Sequence, residues 1–443
     1  MKKMFRKTMQ QIILAGIIGE YILTTTSVPV CAQSDAVKED MVVTNEMNLP
    51  ANDGTALTEQ QVIDLALKYS RKLQSLGTNV AIANHRLSSS GRVENPELRI
   101  SEVSTRYYAD EFDELRVGFR FRLPGLGELG EEKQQARVDF WDRRVEELRY
   151  RQEFIAKVRK DYADVLMYDQ IAELARKRVA KADERLRIIE RLVELGNRSI
   201  VYFTKAKMWN AESKNDLGRA LQNQGLARRK LARRTSIAEN TPLILEELPE
   251  VTQDLDELIK LSIENRPEIK LVQQRIELAY KQRKLEGLKL IPWFNFIELS
   301  YHAEKERHED WGEFMAGINL PLFNWNRGNI KATDLAVKKK EDESDAIKET
   351  IEDEVRSTYI IYKDLLLDWQ TYKSSAEELI SQVAAIINEA KQHETLMPDE
   401  VLEMEWTILD SQKLLAEKRQ EVAHALSDLY VAMGIESHEQ LLP

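Results

Sequence analysis

One cysteine, Cys31, is all that 443 residues contain, so neither a disulfide framework nor a cysteine metal site can be argued. Glycine and proline are sparse, 17 and 11, which excludes collagen-like and low-complexity chains and leaves few places for turns. Basic residues do not dominate: 64 Lys and Arg stand against 75 Asp and Glu, a balance that argues against a nucleic-acid binder. The six histidines are scattered without ligand spacing, so no metal site is indicated. There is no nucleophile motif, phosphate loop or glycine-rich dinucleotide fingerprint, and nothing points to a cofactor or an enzyme. What remains is a chain 31% charged and 43% hydrophobic, biased toward long helices.

The first residues stand apart. Lys2, Lys3, Arg6 and Lys7 precede a short apolar run, Ile12 to Ile18, and Val30-Cys31-Ala32 forms a small-residue site before Gln33. Residues 1–32 read as a secretory signal peptide. The run is too short to span a membrane; a soluble N-terminal helix is the other reading, and Glu20 interrupts the apolar part. Loss of these residues removes four bases and one acid, taking the net charge from −11 to −14. Cys31 sits at the junction, where lipid attachment is an open alternative.

The rest is written twice. "LTEQQVIDLALKYSRKLQSL" (57–76) and "LDELIKLSIENRPEIKLV" (255–272) share a layout 196 residues apart, with Val62 and Leu65 matching Leu258 and Leu261. Pro96 and Pro292 each open a strand-like stretch, and Leu123-Pro124 and Leu320-Pro321 end a second one. The expected order is an extended arm over 33–56, a first repeat over 57–235, a linker over 236–254, a second repeat over 255–434 and a tail over 435–443. Each repeat reads helix, strand, strand, very long helix, second long helix.

The long helices follow from counting. From Ile347, the residues Ile351, Val355, Tyr362, Leu365, Trp369, Tyr372, Ala376, Leu379, Val383, Ile386 and Ala390 follow steps of three and four, with only Thr358 as a weak member, the seam of a coiled coil. Val145, Leu148, Ile155, Val158, Tyr162, Val165, Ala172, Ala175, Val179, Ala182, Leu186, Ile189 and Val193 repeat it, with interruptions at Gln152 and near Asp169. A break at Leu195-Gly196-Asn197-Arg198-Ser199, and another at Leu396-Met397-Pro398, turn each long helix back as an antiparallel hairpin. The predicted starting helices, Leu57 to Leu87 and Leu255 to Leu288, complete the length that the shorter return helices leave uncovered.

Four candidate strands span about 97–107, 114–123, 293–303 and 312–320, near the 9 to 11 residues a tilted membrane strand needs. Val117, Phe119, Phe121 and Leu123 share one face, with Arg116, Gly118, Arg120 and Arg122 on the other; Phe314, Ala316, Ile318 and Leu320 alternate likewise. Glu102 breaks the phase of Leu98 and Ile100, which leaves the first strand without an assigned face. Trp293, Tyr301, Trp311, Phe323 and Trp325 cluster at strand ends, as interfacial girdles do. A soluble sandwich also alternates with period two. If the strands span a membrane, four cannot close a barrel, and the protein must oligomerise.

"LTEQQVIDLALKYS", Asn95-Pro96-Glu97-Leu98 and Arg266-Pro267-Glu268-Ile269 as strand openings, and above all "GINLPLFNWNRGNIKA" (317–332) resemble the TolC family of outer-membrane efflux proteins over nearly the whole chain. The resemblance implies a mainly α fold with a small membrane β portion. It implies a homotrimer in which each chain gives four strands to a twelve-stranded barrel in outer-membrane lipid and its helices to a periplasmic tunnel. Pro124, Gly125, Pro321 and Gly328 would form the barrel-to-tunnel hinge. Implied partners are a periplasmic adaptor, docking at Leu195 to Ser199 and at Leu396, Met397 and Pro398, and an inner-membrane pump of the RND type. The second tip departs from the family in lacking a glycine. Glu400 and Glu403 are the nearest match to the acidic residues of the periplasmic entrance; the helix dipole alone also favours acids there. "LPGLGELGEEKQQAR" (123–137) resembles heavy-metal efflux members. A protein-secretion duct of the same architecture and an exported coiled-coil scaffold are the alternatives, and the cargo stays open.

Overall fold

The computed structural model describes residues 56–103, 114–304, 310–322, 325–393 and 398–441. The expected signal segment, the arm up to residue 55, the strand connections 108–113 and 305–309, Phe323, Leu396 and Met397 lie outside them.

The first half runs α1 (Glu59–Tyr69), α2 (Arg71–Ser89), β1 (Glu97–Val103), β2 (Glu114–Arg122), α3 (Glu128–Glu194) and α4 (Ile200–Thr235). The second runs α5 (Leu255–Asn265), α6 (Pro267–Leu288), β3 (Trp293–Glu304), β4 (Asp310–Asn319), α7 (Arg327–His393) and α8 (Pro398–Met433), followed by a 3₁₀ turn, His438–Leu441. The long helices of the two halves match to the residue: α3 and α7 have 67 residues each, and α4 and α8 have 36 each. At 1.5 Å per residue, α3 and α7 are each about 100 Å long.

The starting helices differ from expectation in one respect, because each is broken. Ser70 ends α1 and caps α2, its Oγ accepting the Leu73 N–H at 3.3 Å. Arg266 breaks the second copy, and Pro267 takes the first helical position of α6, where its missing N–H costs nothing. Arg266 to Ile269 is therefore a helix start and not a strand opening; the second-half strand begins at Trp293.

The long helices pack side by side as one layer. Toward the hairpin ends α3 packs on α4 and α8, and α8 on α7. Toward the strands α2 packs on α3, α3 on α6, and α6 on α7. The starting helices thus cover the length that α4 and α8 leave bare. Between the two levels the linker crosses the layer as a strap between two buried tyrosines. Tyr162 Oη donates to Ile244 O at 2.6 Å, and the Val251 N–H donates to Tyr362 Oη at 3.2 Å. Around these lie the two main cores: Val62, Ile63, Val158, Tyr162 and Val165 in one, and Leu258, Ile351, Val355, Tyr362 and Leu429 in the other. Both interruptions of the first seam are occupied polar contacts. Gln152 Nε2 donates to Gly434 O at 2.7 Å, and Asp169 receives Arg228 at 2.5 Å.

The four strands make one antiparallel sheet in the order β1-β2-β3-β4. Among the described residues its outer strands, β1 and β4, each pair on one side only.

Candidate lipid-facing sheet and tunnel entrance

Register decides the faces of the sheet. Phe119 lies opposite both Leu98 and Leu299, and Leu299 opposite Phe314. Val117 pairs with Ile100 and Tyr301, and Phe121 with Ile297, which pairs with Ala316. One face therefore carries a continuous apolar surface, with Phe119, Leu299 and Phe314 exposed at 48%, 53% and 66%. This register assigns Leu98 and Ile100, left open by the sequence, to the apolar face. Leu123 lies just past β2, its N–H donating to Asn295 O at 3.0 Å, and Leu320 just past β4.

The opposite face is an ion network. Arg116 reaches Glu298 at 3.1 Å and Glu313 at 2.8 Å, and Arg99 reaches Glu298 at 3.3 Å. His302 Nε2 lies 3.0 Å from Glu313, and its ring stacks on Trp311 at 3.9 Å. Trp311 thus belongs to the polar face and not to an outward girdle. Glycine makes this face possible in two places. A Cβ on Gly118 would sit 2.9 Å from Ser300 Cβ, and one on Gly317 would sit 2.5 Å from the Phe296 ring, over which Arg120 stacks at 3.8 Å.

The sheet-to-helix connections place the predicted hinge residues and add two that the sequence did not single out. Trp293 Nε1 donates to Pro124 O at 2.9 Å, and the Gly125 N–H donates to Glu128 Oε2 at 2.6 Å. The left-handed residue is Gly127, φ +88°; its counterpart before α7 is Asn326, φ +50°. Asn326 Nδ2 donates to Glu286 Oε2 at 2.5 Å and to Glu286 O at 3.1 Å. Pro321 is half-buried beyond β4, and Gly328 is an exposed residue in the first turn of α7.

At the far end, the first hairpin turns where the sequence placed it. Gly196 takes φ +74°, and the N–H groups of Asn197 and Arg198 donate to Leu192 O at 2.8 and 3.2 Å. Ser199 Oγ then accepts the Val201 N–H at 3.2 Å and caps α4. Leu195 and Ile200 are exposed there, and the Arg198 guanidinium lies 5.0 Å from the Tyr202 ring. Of the second tip, Pro398 is described, as the first residue of α8. Glu400 and Glu403 both sit on the exposed side of that helix start, while Val401 and Leu402 turn inward, Val401 against Ile387.

Just above the tips lies a cluster the sequence reading passed over. Arg185 of α3 is buried, with its guanidinium 4.0 Å from the Trp209 ring of α4 and 5.4 Å from the Trp406 ring of α8. Lys181–Glu405 and Arg178–Asp410, each 2.8 Å, flank it and join α3 to α8. Arginine and tryptophan at these positions interrupt no heptad, so no periodic signal marks them.

No protein-family model matches the chain, and no curated protein sequence matches it. Solved structures do. A membrane protein from Pseudomonas aeruginosa is 15% identical with a TM-score of 0.69, covering 87% of this chain and 92% of its own. CusC, studied for conformational changes accompanying folding and transmembrane channel formation, is 14% identical with a TM-score of 0.67, covering 85% and 92%. The CmeC outer membrane channel of Campylobacter jejuni is 15% identical with a TM-score of 0.65, covering 93% and 94%. The chain has the fold of the TolC-family outer-membrane channels.

Proposed function

We propose that this chain is the outer-membrane exit duct of a tripartite efflux system, passive and without catalysis of its own. The observation that carries the reading is the sheet: an apolar face on one side, an ion network on the other, and two unpaired edges. Unpaired backbone groups cannot remain in hydrocarbon, where each costs several kcal/mol. Copies of the same chain joining β4 to β1 would remove both edges, and three copies of four strands make twelve, above the minimum of eight for a membrane barrel. The apolar face would then meet lipid and the ion network would line the lumen. The helical layer supports the same closure, since α4 at one end and α7 at the other are its open margins.

In this reading the hairpin tips meet a periplasmic adaptor, which links the duct to an inner-membrane pump of the RND type. The exposed Leu195, Ile200 and Arg198 of the first tip are the docking candidates. Cargo is selected by the pump, and drugs or metal ions are the substrate classes that fit.

The test is fractionation and reconstitution. Full chain extracted in detergent from the outer-membrane fraction should run as a trimer and conduct ions in planar bilayers. Recovery as a water-soluble monomer would end the proposal.

A further inference from the structure

The two open margins of the helical layer are not alike, and their difference is one of charge. Helix α4 contains nine Lys and Arg against two Asp and Glu. Its sequence counterpart α8, interior to the layer, contains three against eight. At the other margin, α7 contains ten bases and fourteen acids.

Patterning sharpens the contrast. On α4 the side turned away from α3 carries Arg219, Gln222, Leu226, Arg229 and Arg233, all exposed and spaced by alternating threes and fours. On α7 a second exposed stripe with the same alternation runs Ile360, Asp364, Leu367, Thr371, Ser374 and Glu378. It is separate from the buried seam through Val355, Tyr362, Leu366 and Ala376. Two exposed stripes with coiled-coil spacing, one at each edge of a layer, are the halves of a contact that the single chain cannot make.

The ion pairs inside the chain show which residues of the two stripes share a level. Arg228 of α4 meets Asp169 of α3. Near that level, Arg178 of α3 meets Asp410 of α8, and farther from the tips Lys160 meets Asp428. Lys418 of α8, between these, bonds Asp368 of α7. Arg228 and Asp368 therefore stand at about the same height, with α4 and α7 antiparallel. Counting outward at equal rise, Leu226 falls level with Thr371 and Arg229 with Leu367, Arg233 comes level with Asp364, and Arg219 with Glu378.

We infer that α4 of one copy and α7 of the next form a charge-sorted coiled-coil seam, with Leu226 and Leu367 near its centre, Arg219 and Arg233 facing Glu378 and Asp364, and Arg229 between them within a turn of Asp364. The inference rests on the oligomeric duct reading and specifies how that oligomer recognises itself. The contact is heterologous, since basic and acidic edges lie on opposite margins, so repetition closes a ring of one hand. A subunit offering basic to basic is rejected, because like charges at a close contact are unfavourable. Arg229 Nε already donates to Gly225 O, and Glu378 accepts from Gln382 within its own helix. Both charged groups are thus held on their helices before a partner arrives.

Cysteine pairing and charge exchange test it in the full chain in detergent. Leu226→Cys combined with Thr371→Cys should give covalent dimers and trimers on mild oxidation, and neither single variant should. Arg229→Glu with Arg233→Glu should lower the trimer fraction about tenfold at fixed concentration, and Asp364→Arg added to that pair should restore most of it. A wild-type trimer that neither crosslinks at this pair nor responds to charge reversal overturns the seam and leaves the duct intact. A wild-type monomer overturns the duct reading itself.

Discussion

Gly127 and Asn326 hold the same station in the two halves, each the residue before a 67-residue helix and each left-handed, at φ +88° and +50°. The chain must reverse from strand to helix within a few residues there, and the left-handed step does it. Gly127 has no side-chain penalty, and a Cβ on it would come 3.1 Å from Leu288 Cδ1. Asn326 tolerates the same conformation and holds it with two bonds to Glu286, whose carboxyl the Lys289 and Asn326 hydrogen bonds keep below the usual range.

Substitution at the two positions should therefore be asymmetric. Gly127→Ala should cost about 1–3 kcal/mol, from left-handed strain and the Leu288 contact. Asn326→Gly keeps the conformation and loses only hydrogen bonds, so it should cost less than Asn326→Ala. Thermal melting of the detergent-solubilised protein measures the ranking. Equal melting temperatures for Gly127→Ala and wild type would show that these turns are not constrained.

The two sheet faces should respond oppositely to a new charge. Phe119 sits amid Leu98, Leu299 and Val117, so on the duct proposal Phe119→Arg would place a cation against lipid, at about 2–4 kcal/mol near mid-membrane. Met315 lies opposite Glu298 on the other face, and Met315→Lys should be accepted there. Membrane-inserted yield on expression separates them. Normal insertion of Phe119→Arg alongside failure of Met315→Lys would invert the face assignment.

Much of this was legible because two periods dominate the chain. Val355, Tyr362 and Ala376 are buried where the heptad puts them, although Leu379 and Ile386 of the same series are exposed, and the apolar alternation from Val117 to Phe121 survives in the sheet. The third strand was harder for a specific reason. The register shifts between Phe294 and Phe296, so Phe294 joins the apolar face while Phe296 turns to Arg120 on the other. A bulge of one residue reverses the phase, and Ile297 and Leu299 cannot be read from period two across it. The break at Ser70 was hidden likewise, because Val62, Ala66 and Leu76 stay on a helical period through it. The Arg185 stack left no trace because its members lie on three helices.

That stack joins the first hairpin to α8, and its removal should loosen them. A desolvated cation over tryptophan is worth about 2 kcal/mol, so Trp406→Ala should lower the melting temperature and increase proteolysis near the tip. Arg185→Lys should restore little, since an ammonium is a compact, strongly hydrated charge and lacks the planar guanidinium that contacts both rings. If Arg185→Lys matches wild type, charge alone is what matters and the guanidinium's shape is incidental.

Acid should weaken the same seam higher up. Burial pushes the Asp164 carboxyl up, but hydrogen bonds from His424 and Gln420, with the charges of His424 and Lys230, hold it below its ordinary value. A carboxyl depressed in the fold stabilises fully above its unfolded value and loses that contribution as pH falls through the folded one. Stability should therefore decline below about pH 4, and Asp164→Asn should flatten part of that decline. An unchanged acid slope in the variant would assign the decline to other carboxylates.

Glu400 and Glu403 carry the remaining prediction, because two explanations of them diverge. Both lie exposed at the start of α8, where the helix dipole favours an acid by about 0.3–1 kcal/mol whether or not a pore is near. Three copies around an entrance would instead gather their carboxylates into a ring that attracts cations. Glu400→Gln with Glu403→Gln removes the charge at nearly constant shape. A small drop in melting temperature follows from either explanation, so stability does not discriminate. Block of single-channel current by divalent cations does: the ring requires that block to weaken in the double variant, whereas a purely local helix role leaves it as it was.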